Sequence, residues 1–192
     1  MAEVIYGCRL LVVTVLDPET GLPPETNPVT AYIDTPQQFG VSPQFSEGQR
    51  QELRGGDRLL AVVEDDPQLI GVDLSFNDAT LNGPAMAIIG GGEWDEAEQK
   101  YTAPAIGGVR PAFKADLYVA QFASSSQNYD DLLGYIKFTF NYCKGRIPSF
   151  TAQDRNFLVP QFTVTCRENN AAGLRVFNWT KVATLPEPPA GG

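Results

Sequence analysis

Residues 69–92 read LIGVDLSFNDATLNGPAMAIIGGG, and within them the hydrophobic period changes from two to about 3.6 and then stops. Ile70, Val72, Leu74 and Phe76 fall on one face of an extended chain, with Gly71, Asp73, Ser75 and Asn77 on the other, which is the pattern of a half-buried strand. Further on, Leu81, Ala85, Ile88 and Ile89 form one stripe of a helix. Asn82 is placed to cap it, Pro84 sits in the first turn, and Gly90, Gly91 and Gly92 end it. A helix of two turns is too short to stand alone, so its stripe must dock on a sheet. Every other strong signal in the chain is strand.

The chain has 192 residues, 43% of them hydrophobic, enough for a proper core. We expect one domain over 1–183 with an extended loop at 17–28, followed by a flexible Pro/Gly-rich tail over 184–192. No apolar run reaches about 18 residues, and the N-terminus lacks the basic start and apolar centre of a signal peptide, so the expectation is a soluble protein made in the cytoplasm. Cys8, Cys143 and Cys166 are odd in number, lack C-x-x-C spacing and lie in strand-like stretches, which points to buried free thiols. A net charge of −9 disfavours adhesion to nucleic acid or an anionic membrane. Histidine is absent, which removes the commonest general base and the commonest metal ligand.

From the N-terminus, CRLLVVTVL (8–16) is apolar on both faces and reads as a central strand. DPETGLPPETNP (17–28) cannot hold regular structure. Two readings of it stay open, a solvated excursion and an arm touching a neighbouring subunit. VTAYID (29–34) resumes as a strand, and residues 39–53 form a weaker strand pair broken at Pro43 and Gly48. RGGD (54–57) is a tight turn into the strand RLLAVVE (58–64). Glu64, Asp65 and Asp66 then read as a solvated acidic turn, because the alternating ligands and glycine of a calcium loop are missing. Glu93, Asp95, Glu96 and Glu98 surround Trp94 in a second acidic stretch, and the segment onward to Gly108 reads as irregular loop.

Phe113, Ala115, Leu117 and Val119 alternate with polar or small residues, as do Ile136, Phe138, Phe140 and Tyr142, giving two antiparallel strands around the polar loop Ser124–Asp131. Phe162, Val164 and Cys166 alternate next, and Asn169–Gly173 reads as a hairpin turn into a strand over 174–183. Phe177 and Trp179 alternate there, which suggests core positions. The count of eight or nine strands and one helix predicts a mainly β fold, a sandwich or barrel with a short flanking helix.

Motifs for chemistry are scarce. Gly90–Gly92 lacks the lysine and following helix of a phosphate loop, and there is no G-x-S-x-G. Paired carboxylates for glycoside cleavage meet in space and not in sequence, so they stay open. Basic patches interleaved with aromatics are absent. Neither catalytic residues, nor a cofactor, nor metal ligands are indicated.

The order of elements is itself informative: GVDLSF, a short helix ending in GGG, an irregular loop, then FKADLYVAQF, LLGYIKFTFNYCKG, FLVPQFTVTCRE, RVFNWTKV and LPEP. Together with the upstream LLVVTVLDPETG and SPQFSEGQRQELRGGDRLLAVVEDD, this resembles the major tail protein of long-tailed bacteriophages over nearly the whole chain. The resemblance implies a tail-tube-like β-sandwich or barrel with one flanking helix. It also implies a structural virion protein whose hexameric rings stack into a channel for DNA delivery, next to tape measure, terminator and distal tail proteins. DNA would pass without sequence-specific binding, and no membrane is involved. No single residue role carries over, because the family varies widely in sequence. Other virion components (head–tail completion, terminator or decoration proteins) and, further off, a carbohydrate-binding β-sandwich are the alternatives.

Three features fit independently. Long alternating strands can join edge to edge around a ring. The loop carrying Asp17, Pro18, Pro23, Pro24 and Pro28, the N-terminal segment, and the tail with Leu185 and Pro186 are candidate contacts between rings. The acidic clusters Glu64, Asp65, Asp66 and Glu93, Asp95, Glu96, Glu98 are candidate channel linings, where surplus negative charge keeps DNA from sticking. Replacing them with lysine is expected to slow DNA ejection.

Overall fold

The computed structural model describes residues 3–123 and 132–187. The expected loop Ser124–Asp131 and the end of the tail, residues 188–192, lie outside them. The first half of the chain supplies strands β1 (Glu3–Val15), β2 (Thr30–Ile33), β3 (Pro36–Phe45), β4 (Arg50–Gly55), β5 (Arg58–Glu64) and β6 (Leu69–Asp78). Helix α1 (Gly83–Gly90) follows, then the short strands β7 (Glu93–Asp95) and β8 (Lys100–Thr102). The second half gives β9 (Phe113–Ala123), β10 (Leu132–Gly145), β11 (Gln161–Cys166) and β12 (Phe177–Val182). The fold is mainly β with one short helix, as the periodicity predicts.

Eight strands form one antiparallel sheet in the order β2-β1-β9-β10-β11-β6-β3, with β12 also on β10. The apolar β1 lies between β2 and β9, with Leu10, Leu11, Val12 and Val13 all buried, so both its faces are covered. The sheet curls until its far strand meets its middle. Phe39 of β3 stacks on Phe76 at 5.6 Å and also reaches Phe140 of β10 at 6.2 Å, while Phe76 stacks on Phe162 at 4.9 Å. Inside the curl, Val72, Leu74 and Phe76 of β6 meet Leu11, Val13, Phe113 and Phe140, the face that alternation assigns to the core.

Helix α1 packs into this core. Asn82 accepts from Ala85 N at 3.0 Å and donates to Tyr32 O at 2.8 Å, so one side chain caps the helix and ties its start to β2. Ala85, Met86, Ile88 and Ile89 are buried, whereas Leu81 lies before the helix and is exposed. At the other end the backbone turns left-handed at Gly91 and Gly92, with φ of 76° and 99°. Gly145 lets β10 approach closely, since a Cβ there would stand 2.4 Å from Ile89.

Several expectations change. The segment after α1 contains a small hairpin, β7–β8, where irregular loop was expected; Asp95 ties its turn by accepting from Ala97 N and Glu98 N, and Trp94 lies over Gly83. Pro43 does not interrupt β3, because β3 is an outer strand, where proline is tolerated. The bulge in β10 between Phe140 and Cys143 reverses the side-chain alternation, so Cys143 and not Tyr142 continues the core face. The Asn169–Gly173 turn does not make a β11–β12 hairpin. Both strands pair with β10, β11 through Cys143–Gly145 and β12 through Tyr135–Phe140, so they are one strand in line, interrupted by an excursion. Finally, Trp179 is 56% exposed, and Phe177, also exposed, packs its ring 5.9 Å from that of Phe140 at the margin of the core.

Candidate assembly surface

Beyond the body, the β3–β6 pair continues into an arm. Ser46 N donates to Gln68 O at 2.8 Å and Asp65 N to Gln49 O at 3.0 Å, carrying the ribbon through Gly48 into the β4–β5 hairpin. Among the described residues that hairpin pairs with no third strand, and all its own residues are exposed. Its composition does not suit water. Leu53, Leu59, Leu60, Val62 and Val63 are all exposed, the last at 63%. On β4, Glu52 forms ion pairs with Arg50 and Arg54, both at 2.9 Å, a charged ladder along one face. Opposite-face neighbours Leu53 and Ala61 pair directly, as do Gln51 and Val63. A two-stranded ribbon alone in water is marginal, and open edges flanked by apolar side chains are templates for pairing.

Apolar side chains are also bare elsewhere. Trp179 and Phe177 lie on β12, which pairs with β10; Leu69 and Ile70 stand at the root of the arm; Ile106, Val109 and Phe157, the last 97% exposed, sit on loops. Scattered surface leucines need no explanation, but a projecting ribbon of them does.

The sequence-expected site residues fall in distinct places. Glu64, Asp65 and Asp66 gather with Glu47 at the narrow root of the arm. Glu93, Asp95, Glu96 and Glu98 lie on the β7–β8 hairpin, with Lys100 3.6 Å from Glu98. The two clusters are on separate hairpins. Asp17 is folded into a turn, accepting from Glu19 N at 2.7 Å and Thr20 N at 3.2 Å. The Asn169 side chain holds that turn from across the chain by donating to Gly21 O at 2.6 Å. Pro18 and Pro28 are exposed, Pro23 and Pro24 half-buried. Leu185 lies against Leu10, Val12 and Tyr118 on the outer face of the sheet, with Pro186 half-buried beside it.

Two carboxylates are buried, Asp116 and Asp78. Asp116 takes the Thr139 hydroxyl and Lys114 at 2.9 Å. Asp78 takes the Thr35 hydroxyl and Thr80 N, while its second oxygen has no partner. Beside Asp116, burial pushes Tyr118 up to about 12, with the charges of Asp116 and Tyr32 adding to it. No cluster of three or more Cys, Asp or Glu among the described residues is placed to hold a metal ion, and no helix there is long and apolar enough to cross a membrane. The signal that could have revealed the arm was present in RLLAVVE, whose apolar run needs a partner on both faces.

No protein-family model matches the chain, and no curated protein does. Among solved structures, a chain of the anti-feeding prophage baseplate aligns over 94% of this chain and 97% of its own at 10% identity and a TM-score of 0.42. A chain of the anti-feeding prophage tube-terminating cap aligns over 90% and 88% at 12% identity, TM-score 0.37. A chain of the sheath–tube complex of an extracellular contractile injection system, in its extended state, aligns over 93% of each at 13% identity, TM-score 0.36. All three scores lie below 0.5, and at such values no function passes from those proteins to this one.

Proposed function

We propose that this chain is a structural subunit of a phage-tail-like particle, a tube subunit that associates with copies of itself in stacked hexameric rings. The observation that carries this is the β4–β5 arm, an apolar ribbon that pairs with no third strand among the described residues and that a neighbouring copy would cover. The resemblance of the strand order to major tail proteins supplies the ring and the tube. The outer strand β3 and the loops bearing Ile106 and Phe157 offer further contacts between copies. In this reading the acidic residues Glu64–Asp66 or Glu93–Glu98 face the channel, the 17–28 loop and Leu185–Pro186 lie between rings, and tape measure, terminator and distal tail proteins bind the tube ends.

Electron microscopy of the purified protein tests it. Filaments of constant width are expected; a protein that stays monomeric at high concentration would overturn the reading. Single rings without growth would favour a terminator or completion protein. One observation favours a further alternative, since Phe177 and Trp179 expose aromatic faces two residues apart. Binding on a glycan array that is lost in Trp179→Ala would support carbohydrate recognition.

A further inference from the structure

Cys143 and Cys166 are register partners across β10 and β11, and both are completely buried. The flanking bonds define their geometry. Arg167 N donates to Tyr142 O at 2.9 Å and Arg146 N to Thr163 O at 3.2 Å, so Tyr142/Arg167 and Arg146/Thr163 are hydrogen-bonded pairs. In an antiparallel ladder bonded and non-bonded pairs alternate, which makes Cys143/Cys166 a non-bonded pair. Such pairs bring the Cα atoms to about 4.5 Å, inside the roughly 4.4–6.8 Å span of disulfides. Both side chains point into the core with Phe162 and Val164, where the Cys143 thiol donates to Phe140 O at 3.7 Å.

We propose that Cys143 and Cys166 are a latent cross-strand disulfide, an oxidation site that closes when a small neutral peroxide reaches the β10–β11 junction. One sulfur attacks the peroxide O–O bond, becoming a sulfenic acid as one water leaves; the second sulfur attacks the first, the S–O bond breaks, and a second water leaves. Two thiols are oxidised and one hydrogen peroxide is reduced to two waters, so atoms and electrons balance. Burial holds the Cys143 thiol well above its usual range, which keeps the pair quiet in a reducing compartment and makes closure depend on local opening. Cys8 is in register with neither sulfur, because its strand pairs with β2 and β9, where its partner is Val119. The bond would staple the point where β11 ends and the excursion to β12 begins. It holds whether or not the chain forms rings.

The test uses the full chain, purified reduced, titrated with hydrogen peroxide, blocked with iodoacetamide in denaturant and digested with trypsin. Expected is one linked species of peptides 138–144 and 156–167, lighter by two hydrogens than their sum, in a chain of monomer mass. The thermal midpoint should rise on oxidation and fall back with dithiothreitol. Cys8→Ser, which leaves the pair intact, should keep every readout. Recovery of Cys143 and Cys166 as separate blocked or singly oxidised residues, or linked to Cys8 or to a second chain, would overturn the proposal.

Discussion

Gly145 is one of the points where the main sheet and α1 touch, and its missing side chain is a packing requirement. A Cβ at that position would stand 2.4 Å from both the Ile89 side chain and the Ile89 carbonyl oxygen, and a backbone atom cannot rotate away. Gly145→Ala is therefore expected to destabilise by about 1–3 kcal/mol, the range for overpacking. Urea denaturation would read it, and an unchanged midpoint would show that α1 yields without cost. Tyr118 gives a second residue-scale prediction. Its folded value of about 12 exceeds the unfolded value near 10, so the folded state keeps its proton over that interval. Its contribution is whole below about pH 10 and is lost as pH rises toward 12. Tyr118→Phe should flatten the fall in stability over that window; an equally steep fall in the variant would assign it elsewhere. At this scale the sequence was legible where a residue acts through its own backbone: Asn82, Pro84 and Gly91 could be read from capping and turn chemistry alone. Trp179 could not, because its burial depends on whether another layer lies over it.

Among elements, a strand was readable where one face is buried, as in β6 from Val72 to Phe76, since alternation records the burial directly. Pairing was less readable. The turn at 169–173 has hairpin composition, and Asn169 and Leu174 do exchange backbone bonds at 2.9 and 3.0 Å, yet the chain then rejoins β10. A local turn rule cannot see that a long third strand offers the better ladder. The arm makes the prediction that belongs here. Leu60→Lys with Val63→Lys changes only exposed positions and should leave folding stability within about 0.5 kcal/mol. Self-association, followed by sedimentation velocity, should be lost or weakened at least tenfold. Association at wild-type strength would mean that the arm is not the contact.

For the molecule as a whole, composition and element order were enough for a mainly β body with one helix, but neither the curl of the sheet nor the reach of the arm was visible. Both depend on contacts between residues far apart along the chain. The Phe39–Phe140 approach links positions a hundred residues apart, and no local pattern encodes it. The candidate surface was legible only in part: the acidic clusters stood out as runs of charge, while the apolar ribbon looked like an ordinary strand until its lack of a third neighbour was seen.

The β1–β9 pairing sets a timetable for birth on the ribosome. Leu11 must wait for Leu117 before its ladder can close. At about 5–20 residues per second that interval is roughly 5–20 s, during which one of the greasiest stretches of the polypeptide has only the short β2 to pair with. Non-local closure of this kind is slow by nature. Cells making this protein in bulk would have to shield nascent chains from one another, and crowding on polysomes is where misassembly would begin.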